Sequence, residues 1–292
     1  MLKLITTLAF VGLGAMGRPM ARRLSEAPNT TLRGFDLNPA SLAELANHGS
    51  IPCQTAASAA EGADVLLLMV VNAAQAEQVL FADGAAHAIG SGKLVILMAT
   101  CPPDRVEAIG AKLADMGIDF LDAPVSGGVV GAEAGTLTIM AGGPKATFER
   151  AKPILDILGD KVRHVGLKLG DGAAMKTVNQ LLCGVHIAAA AECIALAEKL
   201  GLDGQTVIDI LSHSAAGSWM LANRGPRMLH DNPPVTSAVD IFVKDLGIVL
   251  NAGETANMGL PLSALARQLF LQASSQGLGS EDDSQVVQVY RA

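Results

Sequence analysis

The sequence predicts an α/β domain built on a doubly wound, mostly parallel sheet, followed by an all-α domain that a long helix joins to the first. Three observations support this fold class. Short apolar runs alternate with helical stretches through the first half of the chain, and no convincing strand follows Val165. Between the two halves, the segment Gly170–Leu200 has no proline and few glycines, and its apolar residues recur every three or four positions, as on one face of a helix.

The first half supplies the predicted sheet. Strand–helix alternation with short links favours parallel strands with helices on both faces. Two further runs follow a glycine-rich turn, and we expect them to extend the sheet. The predicted strands are Leu8–Val11, Thr31–Asp36, Val65–Val71, Leu94–Met98, Asp119–Asp122, Thr136–Ala141 and Val162–Val165, and the predicted helices include Met16–Glu26, Pro39–Asn47, Ala73–Phe81 and Asp104–Met116.

The second half contains only predicted helices. In the long helix the apolar spacing runs through Met175, Val178, Leu182, Val185 and Ala189. We predict a first domain of residues 1–166 and a helical second domain of residues 167–292, with the first turns of the long helix beside the cleft between them. Three shorter helices are predicted at Thr206–His213, Val239–Ala256 and Leu262–Ser275.

Composition excludes several classes of protein. A net charge of −7 and an isoelectric point near 5.3 argue against a broad basic face for nucleic acid or an anionic membrane. The apolar start MLKLITTLAFVGLGAMG is interrupted by glycines and lacks a cleavage site, so we interpret it as a first strand. No apolar run reaches the roughly 18 residues that span a bilayer, so the cytoplasm is the expected compartment. The four cysteines lack metal-ligand spacing, and no metal site is predicted.

A glycine motif at the end of the first strand predicts a dinucleotide site. Residues 10–17 spell FVGLGAMG, a G-x-G-x-x-G pattern that follows an apolar strand and opens a helix. The first glycine permits the tight turn, the second lets the backbone approach a pyrophosphate, and the third lets helix and strand pack closely. The phosphates then meet the positive end of the helix dipole. The predicted cofactor contacts of this Rossmann-type motif are Gly12, Leu13, Gly14, Ala15, Met16 and Gly17. A glycine-rich turn with no ligand is the alternative.

An acidic residue at the end of the second strand predicts the identity of the dinucleotide. Asp36 lies 19 residues after Gly17, where a carboxylate accepts hydrogen bonds from the adenosine ribose hydroxyls and repels a 2′-phosphate. Arg33 precedes Asp36 rather than following it, where an arginine would better serve that phosphate. We therefore predict NAD rather than NADP.

The start of the long helix provides the predicted acid–base group. Lys176 and Asn179 lie three residues apart and share a helix face, and their neighbours Met175 and Val178 are apolar. A lysine in a partly desolvated cleft has a lowered pKa, since burial disfavours its charged form, and can exchange a proton with a substrate oxygen near neutral pH. Asn179 would hold that oxygen or orient the lysine. A solvated surface lysine is the alternative. We expect the Lys176 amine to face the bound dinucleotide.

Two other segments carry candidate substrate contacts. Residues 122–128, DAPVSGG, follow a strand at the carboxyl edge of the sheet, where Ser126, Gly127 and Gly128 offer a hydroxyl and N–H groups to a carboxylate. Residues 244–247, KDLG, lie in a helical stretch. There Lys244 would approach the nicotinamide end of the cofactor or the substrate carboxylate, and Asp245 would orient a lysine. The alternatives are an ordinary strand-to-helix turn and an exposed charge pair.

These four motifs, in this order and at these separations, resemble the β-hydroxyacid dehydrogenase family, which includes 3-hydroxyisobutyrate dehydrogenase and tartronate semialdehyde reductase. The resemblance covers Phe10 to Val289. It implies a Rossmann-type NAD-binding domain (residues 1–166) with a helical domain (residues 167–292) for substrate binding and oligomerisation, assembled as a homodimer or homotetramer, and a catalytic role for Lys176 with Asn179 as its partner. It also implies substrate contacts at Ser126, Gly127 and Gly128, and cofactor contacts at Thr100 and Lys244. We further predict cofactor contacts at Val71 and Asn72 and a substrate contact at Asp245.

Departures from the family pattern point to the substrate. After the strand that ends near Val71, many members have Leu-Pro where this chain has other residues. Together with residues 184–192, 216–220 and 237–245, this segment resembles a branch that oxidises the C2 hydroxyl of a four-carbon sugar acid, although that branch often has histidine in place of Asn179. The alternatives are oxidation of 3-hydroxyisobutyrate, reduction of tartronate semialdehyde, and an NAD-binding scaffold without catalysis. Hydroxyl partners for a polyol acid would be Asn72, Gln75, His186, Ser218 and Asn223.

Overall fold

The computed structural model describes residues 6–291, and the chain divides between Lys176 and Thr177 into two compact units. The division falls within the long helix. The domain boundary after residue 166 stays a prediction. We describe the two units separately.

The first unit is built around one mixed sheet. Its strands are β1 (Thr6–Val11), β2 (Thr30–Phe35), β3 (Ile51–Pro52), β4 (Val65–Leu68), β5 (Leu94–Leu97), β6 (Asp119–Asp122), β7 (Val125–Ser126), β8 (Thr138–Gly142) and β9 (Lys161–Gly166). The order across the sheet is β3-β2-β1-β4-β5-β6-β8-β7, and β9 also pairs with β8. Strands β1 to β6 are parallel to one another, and β8 joins the sheet antiparallel to β6.

Helices cover the sheet, as the alternation in the sequence predicts. Several begin at residues suited to helix starts: the Asn38 side chain accepts the N–H of Ala40, and Thr55 and Ser58 form a reciprocal capping box. The helices are α1 (Gly17–Ser25), α2 (Pro39–Asn47), α3 (Ala56–Ala60), α4 (Ala73–Glu77), α5 (Ala85–Ile89), α6 (Pro103–Asp115), α7 (Gly128–Ala134) and α8 (Lys145–Leu158), and a π-helical turn at Gln78–Ala82 follows α4.

The core of the first unit lies on both faces of the sheet. Val11, Leu68 and Leu97 belong to the apolar cluster on one face. Phe10, Leu67 and Ile96, each one residue earlier, belong to the cluster on the other face. Parallel strands buried on both faces appear in a sequence as continuous apolar runs rather than as alternation. This is why the central strands could be predicted.

The observed elements differ from the predicted ones in several places. The predicted strand Val65–Val71 ends at Leu68, and the predicted helix Ala73–Phe81 is a short α-helix followed by the π-helical turn. Short elements such as β3, β7, α3 and α5 were not predicted, because segments of two to five residues show too little periodicity. The α8 helix, also not predicted, contains Pro153.

The second unit consists of helices packed around their own apolar core. Phe242 stacks on Phe270 with ring centroids 5.1 Å apart. A short 3₁₀ helix, Asp283–Tyr290, closes the chain, and a buried ion pair of 3.0 Å ties its first residue, Asp283, to Arg224. The helices are α10 (Gly204–Ser212), α11 (Trp219–Met228), α12 (Val239–Thr255) and α13 (Pro261–Ala273), together with most of α9 (Asp171–Lys199).

The predicted long helix is α9, of 29 residues. Its apolar stripe is exposed at Met175, Val178 and Leu182, whereas Ile187 and Ile194 are buried. By length and composition alone α9 could cross a membrane. However, half of the residues in its most apolar 18-residue stretch are buried within the fold. It therefore resembles the core helix of a globular protein as much as a membrane span.

Candidate active site

The carboxyl ends of four parallel strands form one row across the sheet of the first unit. Val11 pairs with Leu68, Leu68 with Leu97, and Leu97 with Asp122. Because parallel strands end at the same edge, the segments that follow these residues emerge side by side. They contain the glycine motif, Val71 with Asn72, Thr100, and the Ser126–Gly128 turn. Open α/β sheets bind their ligands outside this edge, at the point where strand order reverses. Here that point lies between β1 and β4.

The glycine motif has the backbone geometry that a dinucleotide site requires. Gly12 has φ +95°, and a β-carbon on it would overlap the carbonyl of Met69. A β-carbon on Gly17 would overlap the carbonyl of Gly12, so helix and turn are packed closely. Gly14 instead borders open space, since a β-carbon added there would meet no atom within 4 Å. The α1 helix has no side-chain cap and no acidic residue in its first turn, so its N-terminus is suited to an anionic phosphate.

Asp36, the predicted ribose contact, supports the glycine motif through hydrogen bonds. Its Oδ2 accepts the N–H of Leu13 at 2.6 Å, and its Oδ1 accepts the N–H of Asn38 at 2.7 Å. The Arg33 guanidinium donates instead to the carbonyls of Glu61, at 2.9 Å, and Ser58, at 2.5 Å. The Arg33 guanidinium therefore makes its hydrogen bonds at the end of α3 and not at the glycine motif. The residues of this end of the sheet fit NAD, since a carboxylate and not a guanidinium stands after β2.

The other predicted cofactor contacts of the first unit lie in loops at the same edge. The N–H of Val71 donates to Gln75 Oε1 at 2.9 Å, and Asn72 Oδ1 accepts the N–H of Gln75 at 2.9 Å. Thr100 follows β5 and is partly buried. Two of the polar side chains that we considered for a polyol substrate, Asn72 and Gln75, therefore make local hydrogen bonds that start α4.

The Ser126–Gly128 turn links β7 to α7: Ser126 ends the strand, Gly127 connects the two elements and Gly128 begins the helix. Gly127 has φ +125° and Gly128 has φ +63°, both unfavourable for residues with a β-carbon. All three residues are partly exposed. The α7 helix that begins at Gly128 has no side-chain cap, so the N–H groups of its first turn suit a carboxylate. The role of the turn in substrate binding stays a prediction.

Lys176 is buried, with 7% of its surface exposed, in the second turn of α9. The solvated surface lysine considered as an alternative is therefore wrong. The first turn of the same helix is fastened to the sheet edge by Asp122, whose oxygens accept the N–H groups of Gly170 at 3.2 Å and Ala173 at 2.8 Å. Burial raises the pKa of Asp122 to about 6, which these two N–H groups oppose and the nearby Asp171 carboxylate reinforces.

In the second unit, four polar side chains form a continuous series. Asn179 Nδ2 donates to Gln180 Oε1 at 2.9 Å, and Gln180 Nε2 donates to Asp245 Oδ2 at 2.5 Å. The other oxygen of Asp245 forms an ion pair of 2.7 Å with Lys244. Asn179 also contacts Cys183 Sγ at 3.2 Å. The charge pair of the KDLG segment is thus mostly buried, because the Asp245 side chain is 2% exposed and that of Lys244 is 23% exposed.

The remaining candidates for a polyol substrate have structural contacts. Ser218 caps α11 by accepting the N–H of Leu221 at 3.0 Å. Asn223 Oδ1 accepts hydrogen bonds from Arg224 at 2.6 Å and from Arg227 at 3.3 Å. His186 is partly buried on α9. Among residues 6–291, no group of three or more His, Cys, Asp or Glu side chains is placed to hold a metal ion.

Sequence reasoning missed two residues of this arrangement. Asp122 stood within the DAPVSGG motif, and an acid that ends a buried apolar strand was the available indication of a special role. Gln180 lies next to Asn179, but its partner Asp245 is 65 positions away. No local pattern predicts such a pairing.

Known proteins resemble this chain along nearly its whole length. Residues 7–166 match the family described as the NAD binding domain of 6-phosphogluconate dehydrogenase, and residues 170–290 match the family described as NAD-binding of NADP-dependent 3-hydroxyisobutyrate dehydrogenase. An L-threonate dehydrogenase of Cupriavidus necator is 46% identical over 96% of this chain and 94% of its own length. A 2-hydroxy-3-oxopropionate reductase of Escherichia coli is 35% identical over 96% of each chain. A crystal structure from Salmonella typhimurium described as 3-hydroxyisobutyrate dehydrogenase has a TM-score of 0.92 at 41% identity, covering 97% of this chain and 99% of that one.

Proposed function

Because the chain belongs to the family of NAD-dependent dehydrogenases that includes 3-hydroxyisobutyrate dehydrogenase, we propose that it oxidises the C2 hydroxyl of L-threonate, a four-carbon sugar acid, to the 2-oxo acid. Membership in the family establishes an NAD-dependent oxidoreductase that acts on CH–OH groups. The substrate is the part that we propose. It is supported by the 46% identity to an L-threonate dehydrogenase along nearly the whole of both chains.

The observation that supports the chemistry best is the burial of Lys176 on a helix that starts at the carboxyl end of the sheet. Bound NAD supplies the acceptor for the hydride that leaves C2 of the substrate. The neutral Lys176 amine takes the proton of the C2 hydroxyl as the carbonyl forms, and its ammonium returns that proton when the reaction runs in reverse. We assign Asn179 the role of orienting the lysine or the substrate oxygen.

Two other groups of residues are proposed to bind the substrate and the cofactor without taking part in the proton transfer. The Ser126–Gly128 turn would receive the substrate carboxylate through its hydroxyl and N–H groups, which fixes the distance between the hydroxyl carbon and the lysine. Residues 12–17 and Asp36 would hold the pyrophosphate and adenosine ribose of NAD. Val71, Asn72, Thr100 and Lys244 are further proposed cofactor contacts, and Asp245 is a proposed substrate contact.

A panel of acids tests the substrate. With NAD fixed, NADH formation is measured for L-threonate, erythronate, glycerate, tartrate and 3-hydroxyisobutyrate. We expect the highest kcat/KM for L-threonate, by at least about tenfold, because an acid that lacks a hydroxyl group of the substrate, or carries it in another configuration, leaves a polar group of the site without its partner. A higher kcat/KM for any other acid of the panel contradicts the assignment.

A second candidate function has its own support. The solved structure at 41% identity is described as 3-hydroxyisobutyrate dehydrogenase, and the 2-hydroxy-3-oxopropionate reductase at 35% identity acts, by its name, on tartronate semialdehyde. The acid panel, extended by NADH oxidation with tartronate semialdehyde, separates these activities from threonate oxidation. A scaffold without catalysis would bind NAD and turn over none of these compounds.

The compartment and the oligomeric state of the enzyme are also part of the proposal. We expect a cytoplasmic homodimer or homotetramer, and the exposed apolar residues of α9, including Leu182 and Leu196, are available for such assembly. Sedimentation or light scattering measures the oligomer directly.

A further inference from the structure

The long helix that carries Lys176 is anchored at its start by a residue that is distant in the sequence. Asp122 is the last residue of β6, and only 1% of its surface is exposed. Its Oδ1 accepts the N–H of Gly170 at 3.2 Å, and its Oδ2 accepts the N–H of Ala173 at 2.8 Å. These partners lie 48 and 51 positions further along the chain. The carboxylate therefore satisfies donors that a helix N-terminus otherwise leaves without partners.

This anchor differs from an ordinary helix cap. A local cap comes from the residue that precedes the helix, and it stabilises the helix without fixing its position. Here the capping side chain comes from Asp122, at the end of strand β6. The hydrogen bonds that complete the first turn of α9 therefore also hold that turn against the sheet. Because two oxygens of one side chain accept two different N–H groups, they fix both the position of the first turn and the orientation of the helix axis relative to the sheet.

Close packing on the same side supports this conclusion. A β-carbon on Gly172 would lie 2.5 Å from the carbonyl oxygen of Met140 and 2.7 Å from Asp122 Oδ2. A β-carbon on Gly142, at the end of β8, would overlap the backbone nitrogen of Gly172. The first turn of α9 therefore rests directly on the ends of β6 and β8, with no space for a side chain between them.

We propose that Asp122 is a positioning residue that sets the place of Lys176 relative to the Ser126–Gly128 turn, an inference that rests on the proposed function of those residues. Lys176 follows Ala173 by three residues, or about 4.5 Å along the helix axis. In the other direction, Asp122 leads into Ser126 within four residues. One buried carboxylate thus connects the proposed proton acceptor with the proposed carboxylate site, both within the first unit.

Asp122 acts on the reaction through Lys176. Both of its oxygens are engaged by backbone N–H groups, and it is shielded from solvent. The neighbouring charged side chains are Asp171, in the first turn of α9, and Glu107, whose carboxylate lies beside Gly170. Asp122 is therefore not a proton donor to substrate, and its replacement should change turnover rather than cofactor affinity.

The experiment compares Asp122→Asn with Asp119→Asn. Asp119 begins the same strand, but it is exposed and pairs with Arg150. The asparagine keeps the size of Asp122 but can offer only one oxygen to the two N–H groups. We expect Asp122→Asn to lower kcat by about 10- to 100-fold, as small displacements of reacting groups do. We expect the Kd for NAD to stay within about twofold, because the glycine motif is unchanged. Amide exchange at Ala173 should accelerate, and Asp119→Asn should behave as wild type in every measurement.

Other outcomes overturn the proposal. An Asp122→Asn enzyme with wild-type kcat and wild-type exchange at Ala173 removes Asp122 from any positioning role, and so does a variant that loses NAD affinity as strongly as kcat. If Asp122→Asn does not fold, Gly172→Ala displaces the helix start with the carboxylate intact and should lower kcat similarly, whereas an unchanged kcat contradicts the proposal. If wild type oxidises none of the acids, the proposed function fails. The anchor is then judged by exchange at Ala173 and Lys176, and wild-type exchange in Asp122→Asn overturns it.

Discussion

The side-chain amide of Gln180 donates a 2.5 Å hydrogen bond to the buried carboxylate of Asp245, which lies on a different helix of the second unit. The same Gln180 accepts a hydrogen bond from Asn179, and the same Asp245 is paired with Lys244. Two residues proposed for the reaction, Asn179 and Lys244, are thereby joined through a buried pair. Buried polar series of this kind fix side-chain orientation only when each member is satisfied.

Replacement of Gln180 by leucine tests this series. Gln180→Leu leaves the carboxylate of Asp245 with one partner fewer, and it removes the oxygen acceptor of Asn179 while the contact of Asn179 with Cys183 Sγ remains. We expect the free energy of unfolding to fall by about 1–3 kcal/mol, the cost of an unsatisfied buried group. We also expect kcat to fall by about tenfold, since Asn179 loses its fixed orientation. Gln272→Leu, at an exposed position of α13, is the control. Unchanged kcat together with lowered stability would make the series purely structural.

The role of Lys176 is tested by its removal. Lys176→Ala deletes the amine that exchanges a proton with the substrate hydroxyl, so we expect kcat to fall by at least about 10²-fold. The Kd for NAD should change little, because the glycine motif and Asp36 are untouched. Lys199→Ala, at the other end of α9, serves as the matched control. Near-normal turnover by Lys176→Ala would exclude the lysine from the mechanism.

Cofactor choice is tested at Asp36. Asp36→Ala removes the carboxylate expected to bind the adenosine ribose, and it also removes the acceptor for the N–H of Leu13. We expect KM to increase for NAD by about tenfold or more, and to increase less, or decrease, for NADP, because a 2′-phosphate is no longer repelled. Initial rates with each cofactor measure both values, and Asp160→Ala provides an exposed control. Wild-type preference for NADP would contradict our interpretation of Asp36.

We expect protonation of Asp122 to increase the free energy of unfolding of the protein at acidic pH. Burial raises the pKa of this carboxyl from 3.8 to about 6 in the folded chain, so the folded chain holds the proton more tightly than the unfolded chain. The resulting stabilisation is complete below the unfolded pKa and is lost as pH rises through the folded pKa. We expect the free energy of unfolding of wild type, minus that of Asp122→Asn, to grow by about 2–3 kcal/mol as pH falls from about 7 to about 4.

Urea unfolding of wild type and Asp122→Asn across this pH range measures the difference between their free energies of unfolding. Titratable groups that both proteins contain contribute equally to the two values and cancel in the difference. Asp119→Asn, tested in the same way, should not reproduce this pH dependence. A difference that shrinks as pH falls would mean that the folded chain prefers the ionised carboxylate, contrary to the direction given by its burial.

The sequence by itself determined the parts of this protein whose causes are local. The central strands are buried on both faces and therefore appear as apolar runs, and the G-x-G-x-x-G turn with Asp36 follows directly from chain geometry within one strand–helix–strand unit. The length of α9 also follows from local spacing. The spacing did not indicate which side of α9 is buried, because an apolar stripe at Met175, Val178 and Leu182 has the same period whether it faces a core or solvent.

Only the tertiary structure decided which distant polar groups pair. Asp122 meets Gly170 and Ala173, and Gln180 meets Asp245, across separations of 48 to 65 residues. A hydrogen bond depends on two or three atoms at the correct distance and leaves no periodic trace in a sequence, whereas hydrophobic burial repeats along a whole element. For this reason the sequence indicated which lysine to examine, and the fold supplied the carboxylate that holds its helix in place.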